Sequence, residues 1–238
     1  MITGAADRPV QITRLKQRRL LAALLLRPNV DVTVDQLAED LWDGNPPSSI
    51  RSNLKTYVAG LRRAGIPITT SPDGYRIDAG PGELDSLAFE ELKSEPPQAL
   101  GLWRGPVLHG LPLSPAMDAI VCRLQDLRFR MLETLPAHTI GPDLMYSLRE
   151  AIDLEPLREG LHAELMRSLY LHNRAGEAVQ VYHGLRTRLA TELGIDPGLE
   201  VQALYLQILA TDPALGPPMQ APMGYPPNQR HTDLQRPA

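Results

Sequence analysis

Between Pro46 and Gly65, apolar residues recur at Ile50, Leu54, Tyr57, Leu61 and Ala64, one stripe at 100° per residue, which predicts a helix packed on a core. Its opposite face collects Arg51, Ser52, Lys55, Thr56, Ala59, Arg62 and Arg63 without an acid. Pro46 and Pro47, then Ser48 or Ser49 as N-cap, mark where it starts. Upstream, the alternation in Arg8 to Thr13 predicts a short strand. Arg14 to Arg27 turns helical, with Leu15, Leu20, Leu21, Leu24 and Leu25 inward, and Pro28 with Asn29 ends it. Val30 to Val34 is brief and β-branched. Thr33 and Gln36 form a capping-box pattern that opens a helix from Val34 to Trp42, closed by Gly44. Downstream, Ile66 to Thr70 and Tyr75 to Asp78 are strand-like runs joined by Ser71, Pro72, Asp73 and Gly74, the chemistry of a hairpin turn.

Three helices followed by a β-hairpin is the order of a winged helix-turn-helix, whose third helix enters the major groove. From Glu83 the pattern is helical, with elements predicted over Leu84–Lys93, Gln98–Trp103, Ala116–Leu135, Asp143–Leu154, Leu157–Asn173, Ala175–Leu193 and Gly198–Ala210. Ala178, Tyr182, Leu185 and Leu189 form a stripe facing Leu161, Leu165 and Leu169, as in a helix-turn-helix repeat. On Ala116 to Leu135 the main stripe is Ile120, Leu124, Leu127 and Met131, with Cys122 and Phe129 on the other side, the pattern of a sandwiched helix. The fold class is therefore mainly α. An N-terminal winged helix-turn-helix (1–82), three helices plus a β-hairpin wing, precedes an α-helical TPR-like repeat domain (83–210). The last stretch, 211–238, holds 7 prolines and reads as a disordered tail.

Charge sharpens this division. Residues 1–82 carry 11 Lys and Arg against 8 Asp and Glu, whereas residues 83–238 carry 13 against 20, so a net charge of −4 hides a basic N-terminal part. Such asymmetry suits a polyanion partner for that part. One cysteine, Cys122, allows no internal disulfide, and no apolar run approaches a membrane span. The N-terminus lacks a signal-peptide pattern, so a cytoplasmic protein is expected. No P-loop, G-x-G-x-x-G, H-E-x-x-H or G-x-S-x-G occurs. His109, His138, His162, His172, His183 and His231 lack ligand spacing, so neither catalysis nor a metal or other cofactor is expected.

The residues that bear on DNA are Ser52, Lys55, Thr56, Ala59 and Arg63 at the centre of the outward face, suited to base edges, with Arg51 and Arg62 flanking for phosphates. Arg76 on the wing suits the minor groove, and Arg18 and Arg19 are weaker phosphate candidates. A helical-repeat scaffold whose winged helix serves protein contacts alone is the alternative. It has no need of an acid-free face on the third helix.

The words KQRRLLAALLLRPN, VTVDQLAEDLWDGNPPSSIRSNLKTYVAGLRR and TTSPDGYRID resemble the DNA-binding half of the actinobacterial antibiotic regulatory proteins. ELDSLAFEELK, ALGLWRGPVL and EPLREGLHAELMRSLYLHNRAGEAVQVYHGLRTRLATELGIDPG resemble the bacterial transcriptional activation domain that follows it. The resemblance implies an activator of a secondary-metabolite gene cluster. It implies double-stranded promoter DNA bound at direct repeats near the −35 region, self-association on that DNA, and recruitment of RNA polymerase through its sigma subunit.

Overall fold

A computed structural model describes residues 11–216. The protein is mainly α, and the described residues divide into two compact units that meet between Thr134 and Leu135. The first holds α1 (Leu15–Leu25), β1 (Val32–Thr33), α2 (Val34–Trp42), α3 (Ile50–Arg63), β2 (Ile68–Thr70), β3 (Gly74–Ile77), α4 (Asp85–Glu91), α5 (Pro96–Gly101) and α6 (Pro115–Thr134). The second holds α7 (Pro142–Leu154), α8 (Glu159–Leu171), α9 (Ala175–Glu192) and α10 (Leu199–Ala210). The beginning of the strand expected at 8–13, His231 and most of the Pro-rich tail lie outside the described residues. Among the described residues no helix is long and apolar enough to cross a membrane.

In the first unit, α1, α2 and α3 converge on Leu20, Leu24, Leu37, Leu41, Leu54 and Leu61, all fully buried. Each such leucine contributes about 1.5–3 kcal/mol by leaving water. The start of α2 follows local chemistry. Thr33 Oγ1 accepts from Gln36 N at 3.2 Å and Gln36 Oε1 accepts from Thr33 N at 2.9 Å, so the capping box is complete. Its end is shared, because Asp43 (φ 52°) turns left-handed before Gly44 (φ 82°) does.

One side of α1 explains the KQRR word. Lys16 Nζ donates to the Leu41 carbonyl at the end of α2 and lies 5.3 Å above the Trp42 ring. Gln17 Nε2 donates to Tyr57 O at 3.5 Å, crossing α3 beside Gly60, where a Cβ would meet that nitrogen at 2.1 Å. Arg19, buried, forks onto Asp43 at 2.6 and 3.1 Å. Successive polar side chains of one helix thus fix the C-terminal end of α2 and the flank of α3.

The sheet is antiparallel in the order β1-β3-β2, with Val32 opposite Tyr75 and Ile68 opposite Ile77. The third strand is Val32–Thr33. Gln11 to Thr13, expected to belong to a strand, pair with nothing in the sheet, and Ile12 packs on the core instead. Gly74 lets β1 in, since a Cβ there would lie 1.9 Å from Val32 O. Asn29 (φ 63°) does more than end α1, which stops at Leu25. Its amide donates to Ala79 O and accepts from Ala79 N, both at 2.9 Å, tying down the exit of β3.

The first unit continues through α4 to α6. Ser114 Oγ donates to Asp40 Oδ1 of α2 and accepts from Met117 N at 3.2 Å, capping α6, while Arg27 Nη1 donates to Asp40 Oδ2 at 2.8 Å. Met117 lies in the winged-helix core, and Leu108, Leu111 and Leu113 pack against it. Trp103 sits 5.5 Å from the Phe89 ring, with the Arg128 guanidinium 4.9 Å from it. The buried line of α6 is Met117, Val121, Leu124, Arg128, Met131 and Leu132, joined by Phe129. Cys122 is exposed, so the expected second apolar face reduces to Phe129, and Ile120 and Leu127 of the main stripe are only half-buried.

In the second unit α8 is buried nearly all round and packs on α9 through the expected stripe of Ala178, Tyr182, Leu185 and Leu189. Tyr182 stacks on Tyr205 of α10 at 4.0 Å and 8°. Gly194 (φ 69°) turns the chain between them, and Gly198 N donates to Glu159 Oε2 at 2.7 Å.

Candidate nucleic-acid interface

The third helix runs from Ile50 to Arg63, starting after Ser49 as expected. The Ser49 side chain makes no cap to the backbone and instead accepts from Asn53 Nδ2 at 3.3 Å. Its buried line is Leu54, Val58 and Leu61, with Ile50, Tyr57 and Ala64 half-buried beside it. Val58, absent from the expected stripe, takes the central place. Tyr57 and Trp42 are half-buried, their rings 6.4 Å apart.

Arg51, Ser52, Lys55, Thr56, Ala59, Arg62 and Arg63 are all exposed. The packing of α3 therefore turns the whole basic, hydroxyl-bearing side to solvent. Arg51, Lys55 and Arg63 form no ion pair with any described residue, and Arg63 Nε reaches only Ala59 O at 3.4 Å. Thr56 Oγ1 donates to Ser52 O at 3.0 Å, which leaves its lone pairs to accept and its methyl to pack. The helix dipole weighs these cations differently. Arg62 and Arg63 stand in the last turn, where the carbonyl end favours positive charge, so solvation alone accounts for their place. Arg51 stands in the first turn, with no acid there, where the dipole disfavours a cation by about 0.3–1 kcal/mol. A positive helix start that carries an arginine and no side-chain cap is suited to an anion such as phosphate.

Two residues of the basic set are engaged within the chain. Arg62 Nε donates to Ile68 O at 2.8 Å and its Nη2 to Thr70 Oγ1 at 2.7 Å, so its guanidinium lies along β2. Arg76 is half-buried on β3, with Nε 2.8 Å from Asp78 Oδ1 and Nη1 3.7 Å from Asp31 Oδ1. Of the weaker candidates Arg18 is exposed, while Arg19 is buried against Asp43 and acts in the fold. That hydrogen bond holds the Asp43 carboxyl below its ordinary pKa, whereas burial, with Arg19 nearby, lowers that of Lys16. Pairings between Arg19 and Asp43, or Arg76 and Asp31, lie too far apart in the chain to be read from periodicity.

Residues 79–209 match the model of the bacterial transcriptional activator domain. Over 223 residues the chain is 34% identical to the regulatory protein AfsR of Streptomyces coelicolor, covering 84% of this chain but 22% of AfsR, so it spans about a fifth of that relative. It is 30% identical to the transcriptional regulatory protein MoaR1 of Mycobacterium tuberculosis, covering 82% of this chain and 72% of MoaR1. With the regulatory protein DnrI of Streptomyces peucetius it shares 29% identity over 84% and 86% of the two chains. The solved structure of Mycobacterium tuberculosis EmbR in complex with a low-affinity phosphopeptide superposes with a TM-score of 0.68 at 30% identity, covering 86% of this chain and 62% of EmbR. The chain belongs to the actinobacterial antibiotic regulatory protein family and carries that family's bacterial transcriptional activator domain.

Proposed function

We propose that the protein is a sequence-specific DNA-binding transcriptional activator. The observation that carries this reading is the outward side of α3, where Arg51, Lys55 and Arg63 stand exposed and without carboxylate partners around Ser52, Thr56 and Ala59. In the major groove Lys55 and Arg63 donate to guanine O6 and N7, the Thr56 and Ala59 methyls meet thymine methyls, and Ser52 serves either kind of base. Arg51 lies on phosphate at the start of the helix, Arg62 and Arg76 flank it on the side of the wing, and the hairpin follows the neighbouring groove. The names of AfsR, MoaR1 and DnrI as regulatory proteins support the same reading. We extend it to the family's manner of action: direct repeats near the −35 region of a secondary-metabolite gene cluster, two protomers side by side on DNA, and recruitment of RNA polymerase through sigma by the helical repeats. Such a protein works in the cytoplasm without catalysis of its own.

The test is a mobility shift on the promoters flanking this gene in its own genome, with an unrelated duplex as control, over a salt series. The expected result is preference for one promoter and affinity falling linearly in log salt, with a slope of about −0.9 per phosphate contact. Absence of binding by folded protein at low salt would instead support the protein-contact scaffold.

A further inference from the structure

The last turn of α3 carries two adjacent arginines with different surroundings. Arg63 reaches only a carbonyl of its own helix. Arg62 reaches across the chain reversal and takes hold of β2 at two points, the Ile68 carbonyl (2.8 Å) and the Thr70 hydroxyl (2.7 Å). Ile68 and Thr70 pair with Ile77 and Tyr75 on β3, and β2 is an edge of the sheet. The Arg62 fork therefore covers part of the open edge of the hairpin strand.

Backbone chemistry sets the direction in which the chain leaves α3. Gly65 (φ 89°) is the left-handed residue of a Schellman motif, with Ile66 N donating to Leu61 O at 3.1 Å and Gly65 N to Arg62 O at 3.0 Å. Ile66 and Leu61 are both buried beneath it. β1 and Asn29 hold β3, and Ile68, Tyr75 and Ile77 are buried in the core, but the side-chain tie from α3 itself to the edge strand β2 is the guanidinium, whose planar fork grips two acceptors two residues apart. A single ammonium cannot reproduce that grip.

We propose that Arg62 is the positioning residue that sets the wing against the recognition helix, so that sequence discrimination depends on a side chain that touches no base. The inference rests on the DNA-reading function above and changes one role in it, from phosphate contact to brace. Wild type, Arg62→Lys, Arg62→Ala and Thr70→Val are compared as full chains on a duplex selected from a random library by the wild type, and on an unrelated duplex. The comparison runs across a salt series, with the folded fraction checked by circular dichroism. Arg62→Lys keeps the charge but loses the fork, and is expected to lose about tenfold on the selected duplex, the scale of one charge-assisted hydrogen bond, with unrelated DNA unaffected. Thr70→Val changes no charge and is expected to fall in the same direction. A merely stabilising contact would leave the ratio of the two affinities unchanged in folded protein, which would overturn the proposal. So would full retention of specific affinity by Arg62→Lys and Thr70→Val while Arg62→Ala alone lowers the salt slope by about 0.9, the mark of a phosphate contact. If the wild type binds no duplex, the DNA reading falls by itself and amide exchange in the free protein decides the brace. Faster exchange confined to β2 and β3 in Arg62→Lys upholds it, and unchanged exchange overturns it.

Discussion

Asp40 offers the sharpest probe of how the first unit is held together. Its side chain is 1% exposed and its two oxygens serve two elements, Arg27 after α1 and Ser114 at the start of α6. In Asp40→Ala both partners lose their acceptor at once. Breaking a buried ion pair from one side costs about 3–5 kcal/mol, because the remaining charge is left uncompensated. The Arg27 side chain keeps 17% exposure and still donates to Ala23 O at 3.2 Å, so the expected loss is at the lower end, about 3 kcal/mol. At about 2–4 °C per kcal/mol for a chain of this size, the transition falls by about 10 °C. Trp42 and Trp103, the two tryptophans of the chain, both lie in the first unit, so urea unfolding followed by their fluorescence reads that unit alone. Asp40→Asn retains an acceptor for Ser114 and should lose only about 1–2 kcal/mol. A double-mutant cycle with Ser114→Ala should return a coupling of about 0.5–3 kcal/mol. A loss under about 0.5 kcal/mol for Asp40→Ala, or strict additivity with Ser114→Ala, would mean that this carboxylate does not join the two helices.

Other outcomes follow from single residues. Lys55→Ala and Arg63→Ala should each cost about 1–3 kcal/mol of binding to a selected duplex and relax its sequence preference, and equal losses on random DNA would refute their base-reading role. Gly74→Ala puts a methyl 1.9 Å from Val32 O, so β1 must detach. A loss of about 3 kcal/mol in urea unfolding, with faster amide exchange at β3, is expected. In the second unit His162 is buried, its Nε2 lies 3.0 Å from Pro156 O and its Nδ1 has no partner. Burial holds its pKa below the ordinary 6.5, so the unfolded chain takes up the proton first as pH falls. Stability of this unit should be full above about pH 6.5 and decline as pH drops toward the lowered folded value. Urea midpoints of His162→Gln by far-ultraviolet circular dichroism should show a flatter pH dependence than wild type.

Local chemistry was legible in the chain, and long-range pairing was not. The α2 boundaries, Val34 and Trp42, follow from a capping box and a closing turn, both complete within a few residues. The stripes by which α8 and α9 face each other follow from 3.6-residue periodicity. On α3 the expected stripe runs to Ala64 and passes over Val58, although Leu54, Val58 and Leu61 keep the i, i+4, i+7 spacing, because α1 and β2 pack to one side of that stripe's centre. The composition of the outward side of α3 was readable in full, since it depends only on helical geometry. Which of its cations are engaged was not, because Arg62 meets an edge strand and Arg76 an acid of another loop, both dictated by how the sheet closes. The place of Arg19 is illegible for the same reason: its partner Asp43 lies at the far end of another helix.

The union of Ser114, Met117 and the Leu108–Leu113 segment with the winged-helix core bears on how genes of this family exchange parts. The recognisable domain match begins at residue 79, yet Ala79, Leu108, Leu111, Leu113 and Met117 within its first forty residues pack into the core that carries α3. A recombination event at that boundary would pair one parent's α1 and α2 with another parent's leucines and serine. Hybrids joined near Leu135 keep those neighbours together, so viable crossovers among relatives should gather there rather than at the edge of the sequence motif.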